Sequence, residues 1–192
     1  MSIIRYSVYL SIMCSVLACN GEKVDKVQAG VSYQTLADSL HIVLASDRKA
    51  YEDIIFDRLG RVERVLLPHT NWKEEKTVPF PSQFFAEASQ LTEEMGAKFS
   101  YVLISKYPLN KQNKPITEEE KRALDFVYSN PKKNYYGEEI IGKQTYFTAA
   151  YAETAYARPC VTCHNNHDKA SKYDYSTGHV IGAIFLRIPM ES

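Results

Sequence analysis

The stretch YYGEEIIGKQTYFTAAYA, residues 135–152, is the part of the chain that decides the fold. Aromatic and β-branched side chains are frequent on both sides of Gly142-Lys143, and strands favour these residue types. A two-residue connection that contains glycine, placed between two such runs, is typical of a β-hairpin. The sequence therefore predicts an antiparallel hairpin with strands over 135–141 and 144–152.

Helical and strand patterns lie on both sides of this hairpin. In the first helical stretch, apolar residues recur at helical spacing, either without interruption or with a break near Ser46-Asp47. Thr117 and Glu120 have the spacing of a capping box, which predicts a helix start. The further predicted elements are helices over 32–66, 82–95 (N-cap Ser82) and 117–128, a short helix opened by Pro159, and strands over 99–105 and 179–188.

This order of elements predicts an α+β fold. We expect a PAS-like antiparallel sheet flanked by helices, preceded by an N-terminal helix or helices, rather than an all-helical mitochondrial-type cytochrome c. The expected organisation is a signal peptide over 1–18, a flexible polar tether over 19–30 and a single domain over 31–192.

The pentapeptide Cys160-Val161-Thr162-Cys163-His164 follows the hairpin, and C-x-x-C-H is the attachment motif of c-type haem. Two cysteines three residues apart on a helix point to the same side. There, their sulfurs can form thioether bonds to the two vinyl groups of one porphyrin. His164 can bind the iron as the proximal ligand through Nε2, while a backbone carbonyl or water holds Nδ1. We therefore expect one covalent haem c, bound in a CxxCH turn by Cys160, Cys163 and His164.

Two other types of site share these residues. An exported CxxC can form a redox or structural disulfide, and Cys160, Cys163, His164 and His167 could form a zinc site. Zinc needs its four ligands at the corners of a tetrahedron, which adjacent Cys163 and His164 rarely allow. Haem c is the interpretation that the motif favours.

The N-terminus indicates export. Arg5 precedes an apolar run over residues 6–18 that is too short to cross a bilayer and is typical of a secretory signal. Val16-Leu17-Ala18-Cys19 resembles a bacterial lipobox, which implies cleavage before Cys19 and lipid attachment to its sulfur; ordinary signal cleavage is the alternative. We expect a lipid-anchored protein on the periplasmic side of a bacterial membrane, with Asn20 slightly favouring the outer membrane.

Cysteine use and charge narrow the classes of function. Cys14 lies in the signal, so lipid and haem together account for the remaining cysteines, and no pair is left for a structural disulfide. Basic and acidic residues balance, at 23 each, whereas nucleic-acid binders usually show a basic stripe. The sequence shows no nucleophile–base pair, phosphate loop or second metal signature. We therefore expect no nucleic-acid partner and no independent enzyme activity.

From Phe99 to its end, the chain resembles the PAS-like c-type haem-binding sensor domains of bacterial chemoreceptors and histidine kinases. A weaker resemblance extends through RKAYEDIIFDRL and PFPSQFF. The resemblance implies the PAS-like sheet and a haem held by Cys160, Cys163 and His164. The matching segments are FSYVLIS, YPLNKQNKPITEEEKRAL, NPKKNYYGEE, TYFTAAY, CVTCHN and GHVIGAIFLRIP.

The second axial ligand of the iron is open at this stage. In some relatives, the helix before the first strand supplies it, but residues 81–88 contain no Cys, His or Met. His and Met are the common haem ligands. The candidates are His69, foremost, then His41, Met95, His167 and His179, or a water molecule or vacant position.

That ligand separates two classes of function, since two strong protein ligands favour electron transfer and a weak or vacant position permits gas binding. The family resemblance favours a redox or gas sensor, with a small gas ligand and a separate signal transducer as partner. The alternative is a membrane-tethered electron carrier with a redox partner protein. Arg158, just before the motif, is a candidate partner for the haem propionates.

Overall fold

The computed structural model of the chain describes residues 30–191. The predicted signal, Cys19 and nearly all of the tether lie outside the described residues. None of the described helices is both long and apolar enough to span a membrane. The elements are α1 (Tyr33–Tyr51), a π-helical segment (Glu52–Val62), α2 (Pro81–Glu94), β1 (Ser100–Ile104), a 3₁₀ turn (Lys111–Asn113), α3 (Glu118–Ser129), β2 (Tyr135–Ile141), β3 (Gln144–Thr154), α4 (Arg158–Asn166) and β4 (Val180–Pro189).

The four strands form one antiparallel sheet in the order β1-β4-β3-β2. The predicted hairpin is present, with Ile141 opposite Gln144 at the turn. Gly142 lies in the turn with φ +65°, the positive φ that two-residue hairpin turns require. The prediction of an α+β fold with an antiparallel sheet flanked by helices is confirmed.

Helices cover both faces of the sheet. Because side chains alternate between the two faces along a strand, neighbouring residues of one strand contribute to different cores. On β3, Tyr151 points to the face that α1 and α2 cover, whereas Ala150 points to the α3 face. One core contains Ala37, Phe85, Tyr101, Ala149, Tyr151, Ile184, Leu186 and Ile188. The other contains Ile104, Ala123, Leu124, Val127, Ala150, Ala183 and Phe185.

The first helical stretch follows the uninterrupted alternative, since there is no break at Ser46-Asp47 and α1 passes directly into the π-helical segment. It differs from its prediction at the end, which lies at Val62 rather than at residue 66. The chain then folds back over the helix, because the Leu66 N–H donates to the Leu59 carbonyl at 3.3 Å. Gly60 permits this return, since a Cβ there would lie 3.1 Å from the Leu66 carbonyl oxygen.

The predicted N-caps are Thr117 for α3 and Ser82 for α2, and the structure shows where each helix begins. Thr117 caps α3 as predicted, and its Oγ1 accepts a hydrogen bond from the Glu120 N–H at 3.1 Å. The predicted N-cap at Ser82 is wrong, because α2 already begins at Pro81, whose fixed φ suits the first helical position. The Gln83 side chain accepts the Phe80 N–H at 3.0 Å and so satisfies one of the free donors at this helix end.

A buried ion-pair triad ties α3 to the sheet. From β4, Arg187 donates to Glu120 on α3 at 2.6 Å and to Glu139 on β2 at 2.7 Å. The three side chains are only 13%, 6% and 4% exposed, respectively. Burial acts to raise the pKa of Glu139, but hydrogen bonds from Arg187 and Thr117 and the charge of Arg187 outweigh it, so the pKa lies below its ordinary value.

Replacing Arg187 by Met should leave two buried carboxylates unpaired and lower the free energy of unfolding at pH 7 by about 3–5 kcal/mol. The lowered pKa of Glu139 means that its stabilising contribution is present above the unfolded pKa and is lost as the pH falls through the folded pKa. The difference from wild type should therefore shrink below a pH of about 4.3, the ordinary glutamate pKa. Urea denaturation across this pH range measures both effects.

Arg61→Ala is the matched control for this prediction. It removes an ion pair with Asp57 whose side chains are largely exposed, and such pairs contribute little to stability because water and salt screen them. Equal losses for Arg187→Met and Arg61→Ala would contradict the assignment of a buried triad.

Candidate haem site

The motif lies on a loop that leaves the sheet after β3 and returns to it at β4. The Ala155 N–H donates to the His179 carbonyl and the Gly178 N–H donates to the Ala155 carbonyl, each at 2.9 Å. Gly178 has φ +90°, in the region that favours glycine. These two bonds close residues 156–177 into what we call the α4 excursion.

Helix α4 carries the three motif residues, Cys160, Cys163 and His164, within the α4 excursion. It begins at Arg158, one residue before the predicted start, with Pro159 in its first turn. Cys160 is half-buried and Cys163 is exposed, and both thiols are free. Residues three and four positions apart on a helix are neighbours on its surface. The structure places Cys160, Cys163 and His164 on one helix, at positions whose spacing makes them neighbours on its surface; that they bind haem stays a prediction.

The imidazole of His164 has the chemical state that a metal ligand needs. Burial is the main cause that lowers its pKa, and electrostatic interaction with His167 and Arg48 lowers it further. The ring is therefore neutral at physiological pH, which is the form that binds iron. Its Nδ1 atom is buried and has no hydrogen-bond partner among the described residues, so no described backbone carbonyl holds it.

The two thiols differ from those of a redox disulfide. Partial burial is the main cause that raises the pKa of Cys160, and the charge of Glu52 adds to it. Although Cys163 is exposed as a residue, desolvation by the atoms around its sulfur also raises its pKa. A thiol with a raised pKa is a poor nucleophile in disulfide exchange. Among residues 30–191, no group of three or more His, Cys, Asp or Glu side chains could hold a metal ion, so the alternative zinc site is not formed.

A polar cluster borders the motif. Arg48 on α1 pairs with Glu52 at 3.1 Å and with Glu153 on β3, and the Tyr156 hydroxyl donates to Glu52. These residues line a cavity of about 170 Å³, smaller than the roughly 300–1,000 Å³ of typical ligand pockets. A cofactor of porphyrin size must extend beyond this cavity. The donor set of two free thiols and one neutral imidazole fits haem c.

Sequence reasoning missed this cluster. In the sequence, Arg48 and Glu52 are two opposite charges one helical turn apart, which indicates only an ion pair within the first helix. They lie near Cys160 because α1 packs against the end of β3. Arg158, the candidate propionate partner, is exposed at the first position of α4, and its role stays a prediction.

Two of the candidates for the second axial ligand are exposed. His69 lies in the loop after the π-helical segment, and its Nδ1 accepts the Asn71 N–H at 3.1 Å. Met95 caps the C-terminus of α2 and is 87% exposed.

The other candidates have protein partners of their own. His41 is half-buried on α1, and its ring stacks on Tyr151 with centroids 3.8 Å apart. His167 caps the C-terminus of α4, and its Nδ1 accepts the Lys169 N–H. His179 accepts the Ser176 N–H at 3.1 Å. The identity of the second axial ligand stays a prediction.

Tyr175 is a second part of the site that sequence reasoning missed. It is only 4% exposed, and its ring stands perpendicular to the His164 ring, with centroids 5.7 Å apart. The Asn165 side chain donates to the Tyr175 carbonyl and accepts the Tyr175 N–H, both at 2.9 Å. Asn165 thus fixes the end of the α4 excursion against the helix that carries the motif.

Comparisons with known proteins point to one family. The model of a protein family described as Tll0287-like matches residues 22–189. The crystal structure of the cyanobacterial haem protein Tll0287 is 12% identical in sequence, with a TM-score of 0.53, and the match covers 84% of this chain and 99% of that chain. At this identity, the likeness shows a shared fold. No curated protein matches the chain significantly.

Replacing Asn165 by Ala should leave the backbone N–H and carbonyl of buried Tyr175 without partners and lower the free energy of unfolding by about 1–3 kcal/mol. Amide hydrogen exchange at Tyr175 should become faster, because the end of the α4 excursion is released. Urea denaturation and exchange measured by NMR check the two effects.

The neighbouring substitution Asn166→Ala is the control. Asn166 is exposed and donates only within its own helix, to the Thr162 carbonyl, so its loss should change stability by less than about 0.5 kcal/mol. Similar effects of the two substitutions would contradict the role assigned to Asn165.

Proposed function

The chain belongs to the Tll0287-like family, and on this premise we propose that it is an exported monohaem c-type cytochrome that senses redox state or a gas and acts through a partner protein. The resemblance to PAS-like haem-binding sensor domains predicted from the sequence is confirmed by this family and by the fold that the chain shares with a haem protein.

One observation carries the proposal: α4 places two free thiols and a neutral, half-buried imidazole on neighbouring helical positions. Cys160 and Cys163 would hold one haem c covalently, which prevents its loss outside the cytoplasm. His164 would bind the iron through Nε2. When bound, the haem supplies an iron centre that changes oxidation state and can take a small ligand.

The residues around α4 would set the reduction potential of the haem iron. Burial, hydrogen bonds and nearby charges are the means by which a protein sets the potential of its haem. Arg48 is the cation whose charge reaches both Cys160 and His164. Its pairs with Glu52 and Glu153 hold it in place. The two carboxylates offset the charge of Arg48, so the cluster as a whole, and not Arg48 alone, would set the local electric field at the iron.

Sensing is the role that we favour. His69 and Met95 are exposed, and His41 is stacked on Tyr151. These positions support a weak or vacant second axial position, which a small gas can take. A separate signal transducer would read the change. We infer no enzyme activity of its own and, given the balanced charge of the chain, no nucleic-acid partner.

A membrane-tethered electron carrier is the second candidate. Its support is the exposure of Cys163, because an attachment point at the surface brings the edge of the cofactor close to a docked redox partner. The carrier would require a strong second axial ligand on the iron.

We further propose that the protein is anchored by lipid at Cys19 on the periplasmic side of a bacterial membrane, with the outer membrane slightly favoured. The support is the lipobox-like segment Val16–Cys19, after a short apolar run. Cys19→Ala should move the protein from the membrane fraction to the soluble fraction. Unchanged membrane association of this variant would contradict the anchor.

Expression of the full chain with an intact cytochrome maturation system should yield a coloured protein that carries the added mass of one haem. The double substitution Cys160→Ala/Cys163→Ala should abolish the covalent mass gain, because no sulfur remains for a thioether bond. His164→Ala should remove the proximal ligand and alter the visible spectrum.

His167→Ala is the control for His164, since both imidazoles lie near the C-terminus of α4. It should keep both the haem mass and the spectrum. A colourless wild-type protein without added mass, made in the same cells, would refute the proposed function.

Carbon monoxide separates sensor from carrier. The reduced protein should bind carbon monoxide at once, with a clear change in its visible spectrum, if the second axial position is weak or vacant. An unchanged spectrum, together with fast electron exchange with a respiratory cytochrome, would instead establish the carrier. Stopped-flow absorption measurements distinguish the two results.

A further inference from the structure

Two buried side-chain polar atoms beside the motif have neither a hydrogen-bond nor an ion-pair partner among residues 30–191. They are Nδ1 of His164 and the hydroxyl oxygen of Tyr175; Nε of Arg48 also lacks a hydrogen bond, but it lies 3.1 Å from a carboxylate oxygen of Glu52. Buried polar groups in native proteins are almost always hydrogen-bonded to protein or to ordered water. Two orphaned groups on residues whose rings touch therefore indicate a shared partner rather than two independent defects.

The position of Tyr175 is fixed from several directions. Its backbone is held at both polar atoms by Asn165, the residue that follows His164 in the chain. On the ring, the Lys172 ammonium lies 5.2 Å from the centroid. A side chain held in this way does not turn its hydroxyl into solvent without breaking these contacts.

The rings of His164 and Tyr175 meet nearly at right angles, with an interplanar angle of 83° and centroids 5.7 Å apart. This contact limits rotation of the imidazole about its own bond to the chain. The two polar atoms do not bond to each other directly, and both are closed off from bulk solvent. A buried water molecule needs two to four polar partners, and these two atoms provide two.

We infer that Tyr175 is the positioning residue of His164: its ring fixes the plane of the imidazole, and its hydroxyl holds the Nδ1 proton through one buried water molecule. The inference rests on the proposed function, since it assigns Nε2 to the iron and Nδ1 to this bridge. Nδ1–H donates to the water oxygen, and the water in turn bonds to the Tyr175 hydroxyl.

The bridge would act on the iron through the basicity of its ligand. A histidine that donates its second N–H is a stronger ligand to a metal, and such outer partners also orient the ring. Tyr175 keeps its own proton, because burial raises its pKa above the ordinary tyrosine value. Removing the hydroxyl should therefore weaken donation from Nδ1 and favour the reduced form of the iron.

The test compares Tyr175→Phe with Tyr173→Phe in the full-length, haem-loaded protein. Tyr175→Phe removes the hydroxyl and keeps the ring. Tyr173 lies in the same loop, but it is 62% exposed and donates to the Ala170 carbonyl. Tyr175→Phe should shift the midpoint potential to more positive values and move the ¹⁵N resonance of His164 Nδ1 in the reduced protein with carbon monoxide bound, which is diamagnetic. Tyr173→Phe should change neither quantity.

Identical potentials and Nδ1 resonances in wild type and Tyr175→Phe would overturn the inference, as would equal shifts in both variants. A thermal unfolding curve of each variant shows whether the fold is kept; if Tyr175→Phe is unfolded, Asn165→Ala, which releases the Tyr175 backbone without adding a charge, serves in its place and should shift the same two readouts. The Nδ1 resonance can be recorded without iron. A protein without haem whose Nδ1 resonance still responds to Tyr175→Phe would therefore refute the proposed function and not the bridge.

Discussion

The antiparallel pairing of β3 with β4 is the constraint on which the rest of the structure depends. β3 lies between β2 and β4 and pairs with β4 from Tyr146 to Thr154. The register of this pair brings Ala155 beside His179, and that meeting closes the α4 excursion. The position of the haem motif relative to the sheet therefore follows from strand pairing, because α4 has no direct place in the sheet.

Small residues on β3 allow helices to approach both faces of this pair. Ala149 and Ala150 are fully buried on opposite faces. On the first face, α1 packs close enough to bring Arg48 against Glu153. The electrostatic surroundings of Cys160 and His164 thus derive from a helix that is distant in sequence. A larger residue at Ala149 would push α1 outward and change these surroundings without touching the motif.

The parts of the molecule that could be predicted from the sequence are those with local causes. The hairpin over 135–152 has its turn glycine and strand-forming residues within one stretch, and the capping box of Thr117 and Glu120 closes within a single turn of α3. The side of α4 that carries Cys160, Cys163 and His164 follows from helical spacing alone. Strand bounds shifted by only a residue or two, because the alternation that defines them is local as well.

The remaining features depend on contacts between distant parts of the chain. The end of the π-helical segment depends on the return of Leu66 over Gly60, which no periodic pattern indicates. Arg187 reaches Glu139 across the intervening strand, where its neighbour Thr148 is small enough to leave room. Tyr175 follows the motif in a segment rich in polar residues, so only the fold shows that it is buried against His164.

Closure of the α4 excursion also bears on how such a chain can diverge. Its two ends are already joined by backbone hydrogen bonds at Ala155, so insertions or deletions between them change the entropy of loop closure only slightly. The strand pairing on either side of the α4 excursion does not depend on the residues within it. The length of this segment can therefore change at little cost to the sheet that holds it.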